Sequence, residues 1–326
     1  LRLTPDTLYS WTQSDSVPIN RLYGITAKAQ DGVPEKNYSF QLNIYQQDPY
    51  ILHWERLITE NFITPQAQGQ KTIDFNDRFI TYYLLNGNLG IKSSDAGSGN
   101  VWTDGNLQGI PSSVRLETLT VSDNSLYILD ETNIVFSSSD GFNWAEVVTE
   151  YPVTAVYGNL PSATKGRILV MIDDNGTLKF AETNDFTDMQ IMATKGRINP
   201  VDFPVKDFSS ISIESPTSYS VKYILLSGGL SIDKNINNNI IILQEKDGVI
   251  TGLISETPEL VSLKGSRLFF YDDKTYVIVS ESNKNYLMYS ENYGLNWIEA
   301  DENQAFPVNF TNRVNTSVIT DDNNFI

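Results

Sequence analysis

One short stretch limits what this chain can fold into. Ser137-Ser138-Ser139-Asp140-Gly141-Phe142-Asn143-Trp144 is a polar, glycine-bearing turn that ends on tryptophan and follows the apolar run Ile134-Val135-Phe136. It recurs in altered copies. One runs Gly90-Ile91-Lys92-Ser93-Ser94-Asp95-Ala96-Gly97 and reaches Trp102; another runs from Leu287 through Ser290, Asn292 and Gly294 to Trp297. A weaker copy extends from Leu178 to Phe186, with Met189 where tryptophan would fall. A turn that repeats together with its preceding strand marks one supersecondary unit used several times.

Two further strands precede each copy, joined by an Asp/Asn turn. Residues 72–75 turn at Asn76-Asp77 and continue as 79–85; residues 118–121 turn at Asp123-Asn124 and continue as 126–129. Residues 267–271 turn at Asp272-Asp273 and continue as 276–279, and residues 317–320 turn at Asp321-Asp322 and resume at Phe325. Asp and Asn suit such turns because they tolerate left-handed backbone and bond back to their own chain. A unit at 223–226 and 239–243 lacks the tryptophan turn. The tryptophans lie 42 residues apart (102 to 144) and then 153 apart (144 to 297), the latter about three units.

Short strands, about four to a unit, predict an all-β chain folded as a six-bladed β-propeller, with seven blades as the alternative. Inner strands are expected near residues 72, 118, 153, 209, 267 and 317. Because an open ring leaves pairing edges, residues 48–60, with Trp54, are expected to complete the last blade. Seven blades would follow if residues 48–70 held more than a closing strand.

The chain divides at about residue 47. Residues 1–21 read as an extended lead-in with room for one short strand. Residues 22–29 and 38–45 flank Asp31-Gly32-Val33-Pro34 and read as a hairpin, the second strand alternating apolar and polar positions. A hairpin of this size is not stable alone. It resembles the last hairpin of the small immunoglobulin-like modules of bacterial surface proteins, so residues 1–47 are expected to be part of such a module and residues 48–326 the propeller.

Composition excludes several roles. The net charge of −17 opposes binding to phosphate backbones and to anionic membranes. There is no cysteine for a disulfide or a thiolate site, and the lone His53 cannot build a histidine-rich metal centre. No apolar run approaches the ~18 residues of a membrane-spanning helix, so this chain is not expected to insert in a membrane. It begins at Leu1 without Met, which suits an exported protein whose leader has been removed.

The tryptophan turns are similar to the Asp-box, or BNR repeat, of sialidase-type propellers. Ser138, Asp140, Gly141 and Trp144 resemble its short form. Ser290, Asn292, Gly294 and Trp297 resemble the long form with Asn in place of Asp, and Ser93, Asp95, Gly97 and Trp102 resemble it with an insertion. More widely, the chain resembles secreted or lipid-anchored Asp-box propellers of gut Bacteroidetes that follow an immunoglobulin-like module. That resemblance implies an extracytoplasmic place, at the cell surface or in the periplasm, and leaves the reaction open. In such propellers the Asp-box residues are structural. The hydroxyl and carboxylate satisfy backbone N–H groups, glycine supplies an unusual φ, and tryptophan packs under the blade. The turn lies on the face opposite the usual ligand site.

The chemistry of a sialidase needs an arginine triad, a Tyr–Glu nucleophile pair and an Asp acid/base. The family's Phe/Tyr-Arg-Ile-Pro signature is missing, and Gly196-Arg197-Ile198-Asn199-Pro200 is a partial echo at mid-chain. Arg115, Arg267 and Arg313 stand at or before the start of expected inner strands, where they could converge near the axis as ligand-binding residues. The plainer reading is three solvated or ion-paired arginines. No catalytic residue, metal site or cofactor is assigned, since no Gly-x-Ser-x-Gly elbow, phosphate loop or HExxH occurs. Asp-rich turns such as Asp272-Asp273 read as hairpin turns before they read as calcium loops. The function expected is therefore a monomeric, non-catalytic binding or scaffold propeller for a glycan or a cell-surface protein. The alternative is a glycan-active hydrolase with a divergent site. The ligand face is sought in loops 103–117, 145–153 and 301–316.

Overall fold

The computed structural model describes residues 2–4, 7–8, 23–28, 35–39, 51–52, 54, 62–63, 67–95, 99–160, 167–196, 198–214, 221–255, 263–281, 284–301 and 303–306. The chain forms two compact units, Leu1–Leu52 and His53–Ile326.

The first unit holds a four-stranded sheet in the order β2-β1-β3-β4, built from β1 (Arg2–Thr4), β2 (Thr7–Leu8), β3 (Gly24–Lys28) and β4 (Glu35–Ser39). The lead-in thus contributes two short strands where one was expected. The hairpin of β3 and β4 pairs Gly24 with Ser39 and Lys28 with Glu35. Its second strand is under way at Glu35, earlier than the alternation from Tyr38 suggested. Residues 40–45 lie outside the described residues.

The second unit is a succession of antiparallel sheets, each drawn from consecutive sequence. The first blade is β5 (Gly69–Asp74), β6 (Arg78–Leu85), β7 (Asn88–Asp95) and β8 (Thr103–Asp104). The second is β9 (Val114–Ser122), β10 (Ser125–Asp130), β11 (Val135–Ser138) and β12 (Ala145–Val147). The third is β13 (Val153–Leu160), β14 (Arg167–Asp174), β15 (Thr177–Thr183) and β16 (Met189–Ile191). A short strand β17 (Ala193–Lys195) then joins the outer edge of the fourth blade, which is β18 (Lys206–Glu214), β19 (Val221–Leu230), β20 (Ile240–Lys246) and β21 (Val249–Ile254). The fifth is β22 (Arg267–Tyr271), β23 (Lys274–Glu281), β24 (Lys284–Ser290) and β25 (Ile298–Glu299).

The architecture is an all-β propeller with five blades among the described residues, not the six or seven expected. Each of these blades holds four antiparallel strands of its own among the described residues. The pair expected at 317–326 lies outside the described residues, as does most of 48–60. Within the second unit, the ring of Trp54 packs on that of Phe306 with centroids 4.7 Å apart. The segment ahead of the first blade therefore meets the segment that follows the fifth.

The strand alternation explains how the blades hold together. Successive side chains of a strand point to opposite faces, and here each face of a middle strand serves a different neighbour. Leu126 and Ile128 of β10 enter the apolar layer shared with the first blade, while Tyr127 and Leu129 enter the layer shared with the third. Ile168, Val170 and Ile172 of β14 face the second blade, whereas Leu169 and Met171 face the fourth. In β20, Ile241 and Leu243 face the third blade, and Ile240 and Ile242 the fifth. This is why β14 reads as a continuous apolar run: both of its faces are buried. Each fully buried Ile, Leu or Val contributes about 1.5–3 kcal/mol.

Tight turns close the hairpins with paired positive φ values, 52° and 76° at Asn86-Gly87, 52° and 85° at Asn175-Gly176, and 46° and 57° at Asp272-Asp273. Asn, Asp and Gly are the residues that accept this geometry at least cost.

Candidate functional site

The tryptophan turns are held together by their own side chains. Each joins a third strand to a fourth. Ser138 Oγ accepts the Gly141 N–H at 2.9 Å and donates to Asp140 Oδ1. Asp140 Oδ1 also accepts the N–H groups of Phe142 and Asn143, and Oδ2 accepts the Asn143 side-chain amide. Partial burial raises the pKa of the Asp140 carboxyl, but the bonds from Asn143, Phe142 and Ser138 outweigh it and hold the group at about 2. The Trp144 indole donates to the Gly141 carbonyl at 3.2 Å. In the fifth blade Gly294 N–H donates to Ser290 Oγ at 2.8 Å, Asn292 Oδ1 accepts from Ser290 Oγ and Asn296 N–H, and the Trp297 indole reaches the Gly294 carbonyl.

One register position holds a buried polar residue in all five blades. The residue opposite the second residue of the second strand is Ser94, Ser138, Thr183, Glu245 or Ser290, and all five are buried. In four of them the side-chain oxygen accepts an N–H from the turn that follows: Gly141 to Ser138, Phe186 to Thr183, Gly248 to Glu245, and Gly294 to Ser290. In the first blade this place belongs to Ser94 rather than to its neighbour Ser93, whose carbonyl accepts the Thr103 hydroxyl. Asp95 is exposed, Gly97 lies outside the described residues, and the Trp102 indole donates to the Gly99 carbonyl at 2.7 Å. Met189 is buried in the third blade, but Phe186 occupies the interior there and packs on Tyr127 at 4.9 Å.

The inner strands enter from the opposite end of the blades, and two of the three expected arginines, Arg115 and Arg267, lie at those entries. Arg115, second in β9, is buried. Its Nη1 donates to the carbonyls of Thr154 and Val205, and Nη2 donates to Asn133 Oδ1. One guanidinium thus ties the second blade to the third and to the entry of the fourth. Burial lowers its pKa, opposed by the charges of Glu117, Glu131, Asp130 and Asp207. Glu117 Oε1 accepts the backbone N–H of Asp207, and burial raises the Glu117 pKa against the pull of that bond and of Arg115. Arg267, first in β22, donates to the Ser266 carbonyl; burial brings it down to about 10, opposed by Glu117 and Asp207. Lys71 of β5 is pushed down to about 8, first by burial and then by the charge of Arg267. At the inner strands the three cations Lys71, Arg115 and Arg267 thus all feel the charge of Glu117. Arg313 lies outside the described residues, as do His53, Arg197 and residues 307–316.

A cavity of about 570 Å³ opens at the rim of the fourth blade, on the same end as the inner-strand entries. Its floor is apolar, formed by Ile198, Phe203 and Ile241, and its wall is Gly252, Leu253 and Ile254 at the end of β21. Asn199, Asn235, Asn237, Asn239 and Ser231 supply uncharged polar groups, and Asp202 is its charged lining residue. Three features build it. A short 3-10 helix at Pro200–Asp202 leads into β18. Gly252 leaves room for Ile198, whose Cγ2 would stand 2.7 Å from any Cβ placed there. The loop 231–239 between β19 and β20 is held by Ser231, which accepts the Asn235 N–H, and by Asn237, whose amide donates to the carbonyls of Gly228 and Asn239.

Sequence reasoning did not single out this blade. A signal was present. Elsewhere second and third strands are joined by turns as short as Asn86-Gly87 or Asn175-Gly176, whereas here the connection holds Asp233-Lys234-Asn235-Ile236-Asn237-Asn238-Asn239. A long loop inside a unit otherwise closed by tight turns is where a propeller can carry function.

Residues 48–326 match a family model described as the DUF6242 β-propeller domain. A search of curated proteins gives no match. Among solved structures, the N-terminal domain of Nup159 is similar at 13% identity, covering 77% of this chain and 70% of that one, with a TM-score of 0.43. YCF48 bound to D1 peptide is similar at 15% identity, covering 72% and 68%, with a TM-score of 0.38.

Proposed function

The chain belongs to the DUF6242 β-propeller domain family, and from that premise we propose that it is a non-catalytic binding propeller whose ligand site is the groove at the rim of the fourth blade. The observation that carries this reading is the groove itself: an apolar floor with a few convergent polar groups, in about 570 Å³ of open space. The charged cluster at the inner strands supports it from the other side. Arg115 and Glu117 are engaged in bonds between blades, which is the work of a clamp.

The tryptophan turns are Asp-boxes in this reading. The hydroxyl, carboxylate and glycine of residues 138–141 act on their own backbone, as scaffold residues do. The chain works outside the cytoplasm, at a cell surface or in the periplasm, with residues 1–47 as part of an immunoglobulin-like module ahead of the propeller. Its ligand is a glycan or a protein segment. The absence of cysteine suits a fold that does not depend on oxidation.

The test has two arms. The purified chain is screened against a glycan array and a displayed peptide library, and again as Ile236→Lys, which puts a positive charge on an exposed groove residue. Binding in either screen that the variant loses is the expected result. Turnover in a panel of fluorogenic glycosides would overturn the non-catalytic reading, and binding untouched by the variant would move the site elsewhere.

A further inference from the structure

Among the described residues, the wall of the groove is a strand edge with no pairing beyond Lys195. β17 pairs in parallel with β21, from Ala193 opposite Val249 to Lys195 opposite Thr251, and stops there. Gly196, at φ +88°, bends the chain, and Ile198 then packs over Gly252. The Ser255 N–H points into the blade, to the Ile240 carbonyl at 2.8 Å. Backbone groups alternate along an antiparallel strand, so those of Gly252 and Ile254 turn the other way, outward; the pairing of Lys195 with Thr251 uses the Gly252 N–H, so the edge offers the Gly252 carbonyl and the backbone groups of Ile254. Beyond Lys195 the outer edge of β21 therefore runs past the end of its partner, alongside the groove.

We infer that the groove takes an extended peptide segment, apolar at alternate positions and carrying a cationic side chain, which adds to the edge of β21 where β17 leaves off. This rests on the binding reading above and names its ligand. Strand addition supplies main-chain hydrogen bonds, and alternate side chains of the guest fall on the floor of Ile198 and Ile241. Charge selects the guest. Asp202 is the charged lining residue, and the whole chain carries −17, so a cationic segment is drawn in and a second copy of this chain is repelled. A peptide fits better than a sugar, because the ring lining the groove, Phe203, is 5% exposed and offers no face for stacking.

The experiment pans a phage-displayed random decapeptide library against the whole chain. The best peptide is then synthesised with capped ends and titrated by calorimetry. Enriched sequences should alternate apolar residues and include Lys or Arg. Ile254→Pro removes one outward N–H while sparing the bonds to β20, as proline does on an edge strand; it should weaken binding at least about tenfold. Asp202→Asn should weaken it about threefold and flatten its salt dependence. A peptide N-methylated at alternate amides leaves the protein unchanged and should lose binding in one of its two registers only. Equal binding of both N-methylated registers would overturn strand addition while leaving a binding site in place. A glycan captured instead, with no peptide enriched, would overturn the peptide but keep the binding reading; silence in both screens would overturn both. Dimerisation that Ile254→Pro abolishes would overturn the peptide guest in favour of a second copy.

Discussion

The hydroxyl of Tyr82, in the middle of the first blade, donates to the carbonyl of Gly141, in the turn of the second, at 2.6 Å. The same carbonyl accepts the indole N–H of Trp144, whose ring meets that of Tyr82 edge-on at 5.9 Å. A parallel arrangement joins the fourth and fifth blades, where the Ser255 hydroxyl donates to the Gly294 carbonyl and the Trp297 indole reaches both. In both places a hydroxyl from one blade finds the glycine carbonyl in the next blade's tryptophan turn.

Tyr82→Phe should destabilise the propeller by about 1 kcal/mol, the usual worth of one buried hydrogen bond. The cost stays near that value because the Gly141 carbonyl keeps the indole N–H. Urea unfolding followed by tryptophan fluorescence measures it. A loss above about 3 kcal/mol would mean that the ring contact, not the hydroxyl, had been disturbed.

Alanine at the two turn glycines should cost unequally. Gly141 and Gly294 have φ near +83° and +85°, so both substitutions carry backbone strain of about 1 kcal/mol. A Cβ at Gly141 would stand 2.7 Å from Ile80 Cδ1, and one at Gly294 would stand 2.4 Å from Leu225 Cδ2. Gly294→Ala is therefore the more damaging, and comparing the two midpoints in one denaturant titration checks the order.

Acid should act through Asp140. Its carboxyl is held at about 2 against an ordinary 3.8, so its stabilising effect is complete above pH 3.8 and is lost as pH falls from 3.8 toward 2. Asp140→Asn should be less stable than the parent at pH 6, and the two should converge by pH 2. Thermal unfolding across that range decides it.

Base should act through Lys71, with the opposite arithmetic. Its ammonium sits at about 8 when folded and at 10.5 when free, so between those values the unfolded chain binds more protons and this residue's contribution to stability rises with pH. Lys71→Met should raise the melting temperature by a few degrees at pH 7, for about 1 kcal/mol. The gain should shrink to nothing above pH 10.5. A gain that is constant with pH would trace to packing instead.

Strand and turn positions were legible because their causes are local. The Asn76-Asp77 and Asp272-Asp273 turns need residues that accept positive φ, and the sequence supplies them. Inner strands near 72, 118, 153, 209 and 267 followed from the same spacing. The choice between Ser93 and Ser94 was not legible, since adjacent serines look alike until the pairing register buries one of them. Arg115 was found by its position, yet its use depends on carbonyls 39 and 90 residues away, which no local pattern encodes. The groove was missed for a similar reason: Ile198, Asn235 and Gly252 meet only because a strand from the end of the third blade crosses onto the fourth.

That each middle strand divides its side chains between two neighbours has a consequence for how the molecule comes apart. Pulling the third blade away would uncover the apolar layers on both its sides, so it has no cheap partial opening of its own. Fluctuations should begin at the outer strands such as β12 and β25, whose residues are largely exposed and which belong to one hairpin each. The propeller thus behaves as a row of coupled units. Cooperativity comes from sharing side chains between neighbours, and the middle of the row is the last part to yield.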